Sequence, residues 1–120
     1  MAHPCPCCGH LTFNQPHGSY DLCPVCFWED DAYQLRYPEL LGRANGITLV
    51  EAQQYYRELG ACAPDFVNKV RPATDAEPLD PKWRMLDPVR DNYERADDPR
   101  PSTWPDWPAL YWWRDSYQRR

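Results

Sequence analysis

Four cysteines form two short sulfur turns, Cys5-Pro-Cys-Cys8-Gly9 and Cys23-Pro-Val-Cys26-Phe27, with fourteen residues between Cys8 and Cys23. Two Cys-x-x-Cys pairs at this separation supply the four thiolates of a structural, tetrahedral metal site. With every position filled by protein, no site is left open for water, and such closed sites are structural, not catalytic. Zinc is the expected ion, with iron as a substitute in vitro. A thioredoxin-like dithiol at Cys23 and Cys26 is the competing chemistry. It would place the motif at the head of a helix in a βαβ unit, and no such unit precedes it.

The remaining candidate groups lie around these turns. Cys7 occupies a variable position inside the first turn, as a spare thiol, an alternate ligand in place of Cys8, or a reactive thiol beside the metal. Cys62 stands alone after a predicted helix and reads as a buried apolar thiol. His3, His10 and His17 are near enough in sequence to displace a thiolate, although four good cysteines make that unnecessary. Glu29, Asp30 and Asp31 form a carboxylate run, read as a solvated acidic turn that caps the next helix. Its alternatives are a contact surface for a basic partner, a hard-cation site, or an acid/base pair, which would need a pKa raised by burial.

The elements that position these groups follow from local pattern. Pro after the first cysteine of each pair directs the chain into a turn. Gly9 supplies a positive φ that lets backbone N–H groups face sulfur. Leu11 and Phe13 alternate with Thr12, Tyr20 and Leu22 alternate with Asp21, and Asn14-Gln-Pro-His-Gly18 supplies a turn. The pattern predicts a β-hairpin joining the two sulfur turns, which is a zinc ribbon. Tyr33–Arg43 is ambiguous, with Pro38 and Gly42 as possible limits of a short helical turn, and Asn45-Gly46 reads as a turn. A helix is predicted over 48–59, opened by a Thr48/Glu51 capping box and stopped at Gly60. Leu49, Ala52, Tyr56 and Leu59 share its apolar face, which packs on the ribbon. The expected fold class is small α+β.

These residues resemble the cysteine-rich CPCC family of small bacterial proteins. The likeness runs through Cys5-Pro-Cys-Cys-Gly9, Ser19-Tyr20, Cys23-Pro-Val-Cys-Phe-Trp-Glu-Asp-Asp31, and Asn45-Gly46 leading to Leu49, Glu51 and Ala52, about residues 4 to 72. The resemblance implies a metal-binding domain and brings no activity with it.

The division that follows is a domain over 1–72 and an extension over 73–120. From Pro72 onward lie eight of the fourteen prolines and five of the six tryptophans. Phe66, Val67 and Val70 are expected to anchor the connection. Asp80-Pro81 and Asp87-Pro88 predict short helices over 81–86 and 88–96. Asp106 is placed to cap a last helix from Trp107 to about Arg119, with Leu110, Trp113 and Tyr117 on its docking face. Trp107, Tyr111 and Trp112 are left as a partner or dimer surface, since Trp, Tyr and Arg dominate binding hot spots.

Charge narrows the function. The chain carries a net charge of −5, and residues 1–35 contain no Lys or Arg. Nucleic-acid binding needs a basic stripe, so it is disfavoured. No segment is long and apolar enough to cross a bilayer. The start Met-Ala-His-Pro-Cys has no basic and apolar leader, which points to the cytoplasm. The expectation is a non-enzymatic protein-interaction module, immunity-like or a regulatory inhibitor of a basic partner. Its alternatives are an enzyme using Cys7 or the Glu29–Asp31 carboxylates, and a nucleic-acid-binding ribbon.

Overall fold

The computed structural model describes residues 2–94 and 106–117, the side chain of Trp107 excepted. Four elements organise them: β1 (His3–Pro4), β2 (Leu11–Phe13), α1 (Ala32–Arg36) and α2 (Leu49–Leu59). Single turns of 3₁₀ helix lie at Pro64–Phe66 and Trp107–Leu110. The fold is a small α+β arrangement, with β1 and β2 pairing antiparallel across a bulge.

The strand pairing differs from the expected hairpin. Leu11–Phe13 pairs with His3–Pro4, not with Tyr20–Leu22. Tyr20, Asp21 and Leu22 instead turn toward Trp28, Glu29 and Asp30, through Tyr20 N–H to Asp30 O at 3.0 Å and a Leu22–Glu29 bridge. Each sulfur turn thus sits at the tip of its own short hairpin. Each sulfur turn carries its own closing bond, Gly9 N–H to Cys5 O and Phe27 N–H to Cys23 O, so each strand pairs across its cysteines and not across the Asn14–Gly18 loop.

Helix α2 forms as its pattern predicts. Thr48 Oγ1 accepts from Glu51 N–H, Glu51 Oε1 accepts from Thr48 N–H, and Gly60 closes the helix at φ 79°. Its apolar face is shorter than the stripe in the sequence. Leu49 and Ala52 are buried, Tyr56 is half-buried, and Leu59 is exposed. The third buried position is Gln53, whose amide nitrogen donates to Pro6 O at 2.8 Å and whose oxygen accepts from Leu86 N–H at 3.0 Å. One side chain therefore ties the first sulfur turn, α2 and the later chain together. Helix α1 starts earlier than Pro38, capped by Asp31, whose Oδ1 accepts from Tyr33 and Gln34 N–H. Of the expected anchors, Phe66 packs against the core and Val67 is exposed.

Residues 78–80 run beside 9–11. Leu11 N–H donates to Pro78 O and Asp80 N–H to Gly9 O. The helix over 81–86 does not form, because Asp80 spends its carboxylate on the C-terminal segment instead of capping. Its oxygens accept from Trp113 Nε1 at 2.5 Å and from Arg114 Nε and Nη2 at 2.9 and 2.7 Å. Asp87 does cap, accepting from Val89 and Arg90 N–H, but a single turn follows, closed by Asp91 N–H to Asp87 O. Residues 95–96 of that expected helix lie outside the described residues.

Through Tyr117 the last predicted helix is replaced by one 3₁₀ turn and a chain of tight turns at Arg114 and Tyr117, and its residues 118–119 lie outside the described residues. Tyr111 leaves helical geometry at φ −89° and ψ 97°. Its ring then stacks on Trp113, two residues on, at 4.9 Å and 18°, an extended and not a helical spacing. Leu110, Tyr111, Trp112 and Trp113 join the cysteines, Phe13, Trp28, Leu35 and Leu49 in one core. Trp28 is fully buried, and its indole N–H has no acceptor among the described residues.

Candidate metal centre

The two sulfur turns share one geometry. In the first, Gly9 N–H donates to Cys5 O at 2.7 Å and Cys5 N–H to His10 O at 2.9 Å. In the second, Phe27 N–H donates to Cys23 O at 2.8 Å and Cys23 N–H to Trp28 O at 2.9 Å. The residue after each second cysteine takes a left-handed backbone, φ 82° at Gly9 and φ 72° at Phe27. This conformation costs a residue bearing a Cβ about 1–2 kcal/mol. Phe27 offsets its share by packing on Phe66 at 4.7 Å. Gly9 has a second reason to lack a side chain, since a Cβ there would lie 2.3 Å from the Trp83 ring. Its N–H closes the turn on Cys5 O; the hydrogen-bond partner to sulfur comes from Thr12, whose Oγ1 lies 3.2 Å from Cys23 Sγ.

Facing each other, the turns bring Cys5, Cys8, Cys23 and Cys26 together. All four are buried, and their sulfurs lie within 4.8 Å of one another. Cys5–Cys26 and Cys8–Cys23 are separated by 3.6 and 3.8 Å. Sulfurs about 2.3 Å from a tetrahedral ion stand about 3.8 Å apart, so the set has the dimensions of a metal site. It has no disulfide geometry, in which bonded sulfurs are about 2.0 Å apart. Burial pushes the Cys5 and Cys26 thiols well up. Cys23 is held far down by hydrogen bonds from Cys26, Cys5 and Cys8. A divalent ion bound here would draw all four sulfurs into the charged form.

The other predicted groups separate from the cluster. Cys7 is buried next to it, and burial pushes its thiol up, the opposite of what a nucleophile needs. Cys62 is buried with its thiol pushed up to about 12, first by burial and then by the charge of the neighbouring Cys7 and Cys23 sulfurs. Its N–H donates to Cys26 O at 2.7 Å, bracing the second turn. His10 Nδ1 pairs with Glu77 O at 2.7 Å, and no histidine enters the four-sulfur group.

The acidic run is not a solvated surface. Asp30 and Asp31 are each 1% exposed, and only Glu29 stays partly open. Asp31 caps α1 and also accepts from Ala44 N–H at 3.1 Å. Asp30 accepts from Gly18 and Ser19 N–H and from Ser19 Oγ, and pairs with His17 Nδ1 at 2.8 Å. Buried carboxylates persist where hydrogen bonds replace lost water. The aromatic surface is likewise turned inward. Tyr111 and Trp112 are buried, and the Trp107 side chain lies outside the described residues. His17 Nε2 bonds Tyr111 Oη at 2.7 Å, so a chain Asp30–His17–Tyr111 pins the C-terminal segment to the second hairpin. The sequence gives no signal for this link, whose ends are 81 residues apart by number (111 − 30). Gln53 escaped notice for a similar reason, being a polar residue on a helix face read for apolar ones.

The paired turns define a cysteine-rich protein with a four-sulfur centre of metal-binding dimensions. The model of the family described as Cysteine-rich CPCC matches residues 3–77, and the chain belongs to that family. No curated protein matches the chain.

Proposed function

We propose that the protein is a small zinc-organised scaffold that works by binding another protein. Cys5, Cys8, Cys23 and Cys26 hold the ion as a closed structural site. The single observation that carries this reading is the set of four buried sulfurs within 4.8 Å of one another. Zinc suits a four-thiolate donor set and needs no redox partner. Residues 1–72 form the unit the metal organises, and 73–120 act as an extension whose described residues complete its core. Metal analysis by native mass spectrometry, with an absorption-edge scan, tests the site. One zinc per chain supports it, and a compact, metal-free polypeptide overturns it.

The interaction reading rests on charge. A thiolate-rich front without Lys or Arg before residue 36 favours a basic partner by electrostatic complementarity. An inhibitory or immunity-like role in the cytoplasm fits such a molecule. Burial of Asp30 and Asp31 moves the acidic contact surface to Asp21, Glu29 and neighbouring exposed acids. Catalysis through Cys7 is disfavoured by its burial and raised thiol pKa. Affinity capture from the native host tests the reading; the absence of any stoichiometric protein partner removes it.

A further inference from the structure

A groove of about 270 Å³ opens beside the second sulfur turn. Its floor is apolar, made by the half-buried Phe27, Ile47, Ala63 and Phe66. Glu29 and Asp65 line it as well. Among the described residues neither carboxylate has a hydrogen-bond or ion partner, whereas Asp30, Asp31, Asp80 and Asp91 are all engaged. An apolar floor with two uncommitted negative charges fits a ligand that is apolar or flat along its stem and positive at its tip.

We propose that this groove receives one arginine side chain presented by a basic protein partner. The volume favours a side chain over a free metabolite, being below the roughly 300–1,000 Å³ of pockets for drug-sized ligands. Arginine fits better than lysine because its guanidinium is planar, stacks on aromatic rings and pairs with carboxylates through a fork of N–H donors. Phe27 and Phe66 supply two rings tilted at 44°, and the chain's own Lys69 Nζ already stands 5.8 Å from the Phe27 centroid. Leu22, about half exposed beside the floor, offers an apolar contact to the residue next to the arginine. The proposal rests on the protein-interaction reading for its partner and not on the identity of the metal.

The test is a nuclear magnetic resonance titration of ¹⁵N-labelled protein, as purified, with acetyl-Leu-Arg-Leu-amide. The same peptide with citrulline in place of arginine keeps the shape and removes the charge. Saturable shifts confined to the amides of Gly46, Ile47, Ala63 and Phe66 are expected, with citrulline binding at least five-fold weaker. Glu29→Gln and Asp65→Asn should each weaken arginine binding by up to about five-fold, the upper end for a partly exposed ion pair. Lys69→Gln should tighten it by removing a like charge. Neither carboxamide removes a described contact, so folding is not at stake. No saturable shift, shifts elsewhere, or equal binding of the citrulline peptide overturns the proposal. A captured host partner whose footprint misses these amides sinks the groove while leaving the interaction reading intact. Failure to capture any partner strikes that broader reading instead.

Discussion

Replacing Asp80 by Ala tests what holds the tryptophan-rich segment to the cysteine-rich part. The carboxylate is 3% exposed and takes three hydrogen bonds from Trp113 and Arg114. Alanine leaves the buried Trp113 indole N–H without an acceptor, a loss of about 1–3 kcal/mol. The Arg114 pair is about a third exposed on the arginine side, so solvent screening limits its share to roughly 0.5–1 kcal/mol. The aromatic contacts of Trp113 with Tyr111, Trp83 and Trp112 remain, as does Asp80 N–H to Gly9 O. The expected destabilisation is therefore about 2–4 kcal/mol, with Asp80→Asn costing roughly half because one acceptor oxygen stays. Urea unfolding at saturating zinc, followed by tryptophan emission, measures it. Limited proteolysis should show earlier cleavage of the C-terminal segment. An Ala variant within 0.5 kcal/mol of the parent, with the same emission maximum and cleavage pattern, would refute the reasoning.

Three further outcomes are expected. Cys23→Ser, or chelation of the metal, should unfold the N-terminal half, since structural zinc contributes roughly 10–16 kcal/mol of apparent binding energy in finger peptides; a near-native circular dichroism spectrum of metal-free protein would contradict this. Gly9→Ala should cost about 2–5 kcal/mol, combining the left-handed backbone with displacement of Trp83, and a thermal midpoint equal to the parent's would be the wrong result. The two guanidinium hydrogen bonds from Arg71, with help from Thr74, pull the Glu77 carboxyl down from 4.5 to about 2. Because the folded pKa is depressed, the stability Glu77 adds is fully present above about 4.5 and is lost as pH falls toward about 2. The stability difference between the parent and Glu77→Gln should be small and constant near neutrality and should shrink through that window. A difference that grows on acidification would reverse the assignment.

The parts legible in the sequence are those fixed by neighbours a few residues apart. Cys-x-x-Cys turns, the Thr48/Glu51 capping box, the stop at Gly60 and the positive φ of Gly9 each need only local chain geometry, and all four are present. The family likeness rests on the same short blocks and is matched over residues 3–77. Local cap signals misled where a carboxylate had a better use. Asp80 and Asp87 carry the same Asp-Pro signature, yet Asp80 binds Trp113 and Arg114 while Asp87 closes a single turn.

Strand partners and burial belonged to the tertiary structure. Leu11–Phe13 alternates as a strand should, but alternation does not name a partner, and the chain closes on His3–Pro4. Glu29, Asp30 and Asp31 are neighbouring acids in the sequence, yet one lines an open groove and two are sealed inside by N–H groups and, at Asp30, by His17. Tyr111 and Trp112 look like a contact surface until Tyr111 meets His17 and Trp112 meets Arg84 O. The four-sulfur cluster was set by residue type and spacing, because a four-residue turn leaves thiols little choice of direction. The fate of the carboxylates and tryptophans was set by contacts across the chain, because only a distant partner can repay the loss of water around them.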